Sequence, residues 1–228
     1  MTTLGLTPEM MAEREQQRPA VIRETAVTVS SPRVASIYDE QIQTLLQQLF
    51  FRQEQAMVHH VGFAAIESQT DTAHLCLDLA TSLADTGPHD VGLIDARLQS
   101  TPLHTQLQIP AGSRPDASWL IAPRLWLVPR RKWLDEGSHR IWDLSLTRLR
   151  AVTIEFDYSI LCLDPFSWLT TRLGQTCNGL VLVLTANKTR RLVAAQMQEQ
   201  LHRARIPLLG TVLAERSFPV PPGLYRHL

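Results

Sequence analysis

Short apolar runs that alternate with helix-spaced stretches leave this chain few folds to choose from. The runs are VGFAAI (61–66), DVGLIDA (90–96), RLWLVP (124–129), YSILCLD (158–164), GLVLVLT (179–185) and PLLGTVLA (207–214). Each has strand length and is too apolar for a sheet with one wet face. WLIAP (119–123) competes with 124–129 for a single strand, and the second run is the one expected. Between the runs, 71–85 places Leu75, Leu79 and Leu83 on one helical face and closes at Gly87. A short helix is expected after Pro102, and 138–154 and 189–204 read as longer ones. Residues 34–51 place Ile42, Leu45, Leu46, Leu49 and Phe50 at helical spacing, which predicts an amphipathic helix. Strands buried on both sides and joined by helices imply crossovers: an α/β fold, a mostly parallel sheet with helices on both faces. Such sheets bind ligands at the carboxyl ends of their strands, so functional residues are expected after 66, 95, 128, 163 and 184.

The 228 residues divide into two parts, a tail at 1–33 that reads as disordered and a single domain at 34–228. Apolar residues at 44% and charged residues at 19% are enough for a sizeable core. Lys plus Arg (22) balances Asp plus Glu (22), which argues against a nucleic-acid partner held by bulk charge. The absence of an 18-residue apolar run argues against a membrane span, and the N-terminus lacks a secretory pattern, so the expected location is the cytoplasm. Cys76, Cys162 and Cys177 are odd in number and set among apolar residues, as suits a reduced compartment. His59 and His60 are adjacent and point apart on a strand, and His74 has no ligand four residues on, so no metal site is expected. Nucleophile-elbow, zinc-protease and G-x-G-x-x-G patterns are all missing.

The loop between the first strand and the helix after it is where a phosphate-binding loop would sit. Here the segment reads ESQTDTAHL (67–75). No glycine lies between Gly62 and Gly87, and no lysine precedes Lys132. A phosphate cradle needs glycines so that backbone N–H groups can turn inward, and a lysine to neutralise the phosphates. Further on come LIDARL (93–98), FDYSILCLDP (156–165), NGLVLVLTANKTRR (178–191) and LLGTVLAER (208–216). In order, spacing and phrasing, these segments resemble the cytoplasmic tyrosine-kinase family of bacterial capsule and exopolysaccharide systems, within the ParA- and MinD-like P-loop ATPases. The resemblance covers 34–228 and implies a P-loop NTPase-like fold with a degenerate phosphate loop.

Residue by residue, the resemblance carries over as follows. Asp78-Leu79-Ala80 match the end of the family's first helix. Counting back places Asp71 at the second glycine of P-G-E-G-K-T-T, Thr72 at its lysine and Ala73 at its magnesium-binding hydroxyl. A carboxylate at position 71 would face a polyanion, and like charges about 4 Å apart cost about 4 kcal/mol at an effective dielectric of about 20. Asp95 matches the first acid of L-I-D-A-D, and Arg97 replaces the second. On an extended chain Arg97 shares a side with Asp95, where the two can pair. Asp164 matches the acid that ends the family's second acidic strand. Lys188 and Thr189 match the phrase after the next strand, and Lys188, Arg190 and Arg191 could meet an anion at a helix start. Glu40, Gln43 and Leu46 match the Glu-x-x-Arg-x-x-Arg helix pattern used in ring assembly, of which only the acid is kept. The terminal tyrosine cluster of active members is reduced to Tyr225 in SFPVPPGLYRHL. Independently of the family, Arg130, Arg131 and Lys132 beside Trp126 and Trp133 form a candidate interaction patch.

These departures imply a non-catalytic, kinase-like subunit that acts by protein binding in exopolysaccharide or capsule biosynthesis. Its expected partner is a membrane polysaccharide co-polymerase or an active ATPase paralogue, which would hold it peripherally at the inner membrane. No cofactor is expected, and ATP with magnesium is disfavoured. The candidate partner-binding residues are Glu40, Arg130, Arg131, Trp133 and Lys188, and Asp71, Thr72, Ala73, Asp95 and Asp164 are the vestigial nucleotide positions. The alternatives are a divergent ATP-dependent tyrosine kinase or ATPase using Asp95 and Asp164, and a ParA- or MinD-like positioning or cell-division regulator.

Overall fold

The computed structural model describes residues 35–51, 58–112, 114–134 and 146–214. The expected tail at 1–33, the first part of the helix expected at 138–154 and the segment around Tyr225 lie outside them. The elements are α1 (Ala35–Phe50), β1 (His60–Ala65), α2 (Thr72–Asp85), β2 (Val91–Ala96), α3 (Leu103–Gln106), β3 (Trp119–Ala122) and β4 (Leu125–Val128). A 3-10 turn (Arg130–Lys132), α4 (Leu146–Thr153), β5 (Tyr158–Leu163), α5 (Trp168–Gly174), β6 (Gly179–Thr185), α6 (Arg191–Arg203) and β7 (Leu208–Ala214) follow.

The seven strands form one sheet in the order β3-β4-β2-β5-β1-β6-β7, parallel except for β3 against β4. The order places β1 at the centre, flanked by β5 and β6, with Phe63 opposite Cys162 on one side and Val181 on the other. α1 and α2 pack one face, where Leu46, Leu79 and Leu83 meet Phe63, Leu93 and Val181. α4, α5 and α6 cover the other, where Leu149, Leu169 and Leu201 meet Ile94, Leu161 and Leu182. Every residue of β2 and β5 is buried, as two-sided coverage requires. Cys76 on α2 and Cys162 on β5 are both fully buried in the first of these layers.

Three sequence expectations need correction. Both 119–122 and 125–128 are strands, joined as a hairpin whose turn holds Arg124 at φ 59. A Pro-Arg turn without glycine gives no hairpin signal in the sequence. α2 ends on Thr86 rather than on a left-handed Gly87, because the Thr86 hydroxyl donates to the carbonyls of Ser82 and Leu83 at 3.0 and 2.7 Å. The short helix α5 has no counterpart among the expected elements. Ser167 starts it by accepting from the Thr170 N–H at 3.3 Å.

Two consequences can be measured. A methyl group on Gly92 would lie 2.4 Å from Phe156 Cδ2 and 2.8 Å from its Cγ. Gly92→Ala should destabilise the chain by about 1–3 kcal/mol in urea unfolding, since the buried ring has to shift. Burial, followed by the neighbouring His59, lowers the His60 pKa from 6.5 to about 4. Between those two values the unfolded chain binds a proton that the folded chain does not, so His60 removes stability as pH falls from 6.5 towards 4. Stability curves of the wild type and His60→Gln should therefore converge or cross on acidification; parallel curves would refute the assignment.

Candidate functional site

The carboxyl ends of β1, β2, β5 and β6 point the same way, and their loops bring Asp71, Asp95, Asp164 and Lys188 to one end of the sheet. Asp71 is the N-cap of α2. Its Oδ1 accepts from the N–H groups of Ala73 and His74 at 3.0 and 3.5 Å and from Gln106 Nε2 at 3.0 Å. Its Oδ2 lies 2.6 Å from His74 Nδ1. Burial pushes the Asp71 carboxyl up, but His74 and the two helix amides outweigh it and hold the group below its usual value. The start of the helix after the central strand is where P-loop proteins present N–H groups to phosphate. Here a side-chain carboxylate already accepts from those groups. Thr72 and Ala73 are buried in the first turn, and the Thr72 hydroxyl lies 3.7 Å from Cys162 Sγ.

Asp95 is equally engaged. Its Oδ1 accepts from the Arg97 N–H at 3.2 Å, its Oδ2 accepts from the Leu103 N–H at 2.8 Å, and Arg97 Nε lies 3.6 Å from Oδ1. Burial raises the Asp95 pKa, against the Leu103 amide and Arg97, which favour the charged form. Arg97 itself is buried at 4% exposure. Its Nη1 donates to Gln106 Oε1 and its Nη2 to the Thr101 carbonyl at 2.8 Å, while Nε makes no hydrogen bond. Gln106 therefore links Arg97 to Asp71, joining the β2 loop to the start of α2. No motif marks Gln106, and sequence reasoning missed it; a glutamine in a one-turn helix gives no pattern to read.

Asp164 holds the same loop from the other side. Its Oδ2 accepts from the N–H groups of Leu98 and Gln99 at 2.5 and 2.8 Å, and its Oδ1 from the Ser100 hydroxyl at 2.5 Å. Arg130 Nη1 donates to the carbonyls of Arg97 and Ser100 at 3.2 and 3.3 Å. Arg130 thus braces the β2 loop, while Arg131 is exposed. Trp133 requires a correction as a partner-binding candidate. It is 0% exposed, and its Nε1 donates to the Asp95 carbonyl at 3.0 Å, so its ring belongs to the core. Leu46, at the third position of the ring-assembly pattern, is likewise buried at 1% exposure, whereas Glu40 and Gln43 face outward. Lys188 is exposed in a turn closed by Thr189, whose hydroxyl accepts from the Thr185 N–H at 2.8 Å. Above β1, the hydroxyls of Thr70 and Thr185 lie 2.5 Å apart, and Glu67 Oε2 is buried without a hydrogen-bond partner. Among the described residues no cluster of His, Cys, Asp or Glu could hold a metal ion, and no helix is long and apolar enough to cross a membrane.

The chain matches no family model and no curated protein. Among solved structures it is similar to the kinase domain of the Escherichia coli tyrosine kinase ETK, with a TM-score of 0.65 and 15% identity over 92% of this chain and 90% of that one. The VpsO kinase domain gives a TM-score of 0.62 and 16% identity over 81% of this chain and 98% of that one. A ParA family ATPase from Chlorobium tepidum TLS gives 0.54 and 16% over 68% and 73%. At these identities the likeness establishes the fold, that of P-loop NTPase-like bacterial tyrosine-kinase domains and ParA-type ATPases.

If Asp164 serves to brace the loop, Asp164→Ala leaves two backbone N–H groups and a hydroxyl without their acceptor. These donors are only part-buried, so water can replace the lost acceptor in part, and urea unfolding should show a loss of about 1–2 kcal/mol. Unchanged stability would show that Asp164 does not brace the loop.

Proposed function

We propose that the chain is a non-catalytic, kinase-like subunit that acts by binding another protein, within exopolysaccharide or capsule biosynthesis. The observation that carries this reading is the Asp71 carboxylate seated on the N–H groups of α2. Anions bind helix starts because those N–H groups lack internal partners. Asp71 meets that need internally, and its negative charge repels a phosphate approaching the same amides. The first loop has neither glycine nor lysine to offset the repulsion. The other two carboxylates that a magnesium–nucleotide site would use are engaged with backbone amides of the β2 loop. This residue set does not fit ATP with magnesium.

What such a chain retains is a surface. The fold likeness to tyrosine-kinase domains supports a place beside polysaccharide export. A membrane co-polymerase or an active ATPase paralogue would be the partner, with the chain held at the inner membrane through it. A divergent kinase is the second reading, favoured by the retention of Asp95 and Asp164 at the ends of β2 and β5.

Calorimetric titration with ATP and ADP, with and without magnesium, separates the two. The expected result is no binding at millimolar nucleotide. Micromolar binding, with magnesium-dependent turnover lost in Asp95→Asn, would overturn the non-catalytic reading.

A further inference from the structure

The chain is neutral as a whole, with 22 basic and 22 acidic residues, yet its charge is sorted along the sequence. Residues 165–198 hold four basic residues, Arg172, Lys188, Arg190 and Arg191, and no acid. All four are exposed. The fold gathers them. α5 follows β5, α6 follows β6, and both helices cover the same face of the sheet. β5 and β6 flank β1, so the two helices leave the carboxyl end of the sheet about 10 Å apart. The nearby Asp164 is buried, and Glu199, further along α6, is bridged to Arg203 at 2.9 Å.

Two large apolar side chains stand out of this patch. Trp168 opens α5 at 53% exposure, and Leu192 lies in the first turn of α6 at 70%. Arg172 is one turn after Trp168 on the same side of α5. The backbone beneath is tied to the sheet and to its own turn. The Phe166 N–H donates to the Ala65 carbonyl at 2.7 Å, and the Thr189 N–H donates to the Thr185 carbonyl at 3.0 Å. Three of the four cations sit at the start of α6, whose first turn holds no acid. The helix dipole disfavours positive charge there. This placement costs the isolated molecule stability, and a negative surface opposite it offsets the cost.

We propose that this patch docks directly on an anionic lipid surface, with Trp168 and Leu192 entering the headgroup layer and Arg172, Lys188, Arg190 and Arg191 meeting lipid phosphates. Tryptophan and leucine beside cations are the composition of a surface that lies on a membrane without spanning it. An acidic protein is the rival occupant. A protein interface buries its apolar anchors together in a packed core within a polar rim. Here the two stand on separate helices, each with cations beside it, which a fluid headgroup layer accommodates and a packed core does not. Arginine over lysine does not decide the matter, because the whole chain holds two lysines against twenty arginines. The opposite face keeps the molecule in one orientation. Described residues 35–51 and 58–96, which include α1 and α2, contain no lysine or arginine, and Asp39, Glu40 and Asp85 are exposed there. An anionic surface repels that face. The contact needs neither nucleotide nor the protein partner proposed above.

Co-sedimentation of the full chain with lipid vesicles tests the proposal. Vesicles of phosphatidylcholine alone should leave the chain in solution. Vesicles of equal parts phosphatidylcholine and phosphatidylglycerol should carry it down at low salt and release it as salt rises. A basic residue at an anionic surface contributes about fivefold in affinity, so Arg190→Gln/Arg191→Gln should bind about 25-fold more weakly. Trp168→Ala should also weaken binding while leaving the salt dependence as it is. Arg203→Gln, at the far end of α6, should bind as the wild type does. Each variant should keep the wild-type circular dichroism spectrum. No binding to the anionic vesicles, undiminished binding by Trp168→Ala, or equal losses in Arg203→Gln and the double variant would each overturn the proposal. So would binding to polyglutamate as tight as to the anionic vesicles, which would assign the patch to an acidic protein.

Discussion

The free N–H groups at the start of α2 demand an acceptor, and the loops around them are arranged by how that demand is met. The helix follows the central strand of a sheet buried on both faces, which fixes its start at the carboxyl end of that sheet, at the edge of solvent. Asp71 provides the acceptor. Gln106 then donates to Asp71 and accepts from Arg97, while Arg97 lies against Asp95. Asp164 and Arg130 hold the same β2 loop from its far side. A chain of polar contacts thus runs across the carboxyl end of the sheet, from the start of α2 through the β2 loop to the end of β5.

The sheet was legible in the sequence because a parallel sheet covered on both faces writes itself as uninterrupted apolar runs, and GLVLVLT at 179–185 became β6. β3 was not, since WLIAP and RLWLVP sit too close together to be told from one strand, and their turn lacks glycine. α5 was not, because seven residues with two threonines carry little helical period. At the site, the pairing of Arg97 with Asp95 could be read from i,i+2 geometry on a strand. The role of Asp71 was visible only as a misplaced charge; that it caps its own helix depends on the backbone angle at position 71. Trp133 illustrates the opposite error. Three basic neighbours suggest a surface, but the direction of a side chain that caps a single 3-10 turn is set by packing and not by composition.

Neutrality by count conceals how charge is distributed. A net charge of zero argues about bulk attraction to polyanions and says nothing of a face. The two faces of this sheet are assembled from different parts of the chain, α1 and α2 from its first half and α4 to α6 from its second. Any bias in composition between the halves therefore becomes a bias between sides. Here the two helices on either side of β1 in the chain share one flank, and α4 to α6, which come after β4, take the other.

Cys76 and Cys162 face each other from α2 and β5 inside the first apolar layer, with Thr72 touching the latter. Burial, with Cys162 beside it, pushes the Cys76 thiol well above its ordinary pKa, which withholds the thiolate that reacts with alkylating agents. In the native chain these two sulfurs are chemically quiet, and they acquire reactivity only when the helix lifts from the sheet. The molecule thus carries its own clock. The rate at which a small alkylating agent consumes the pair is the rate or the equilibrium at which α2 detaches, read without adding a label to the chain.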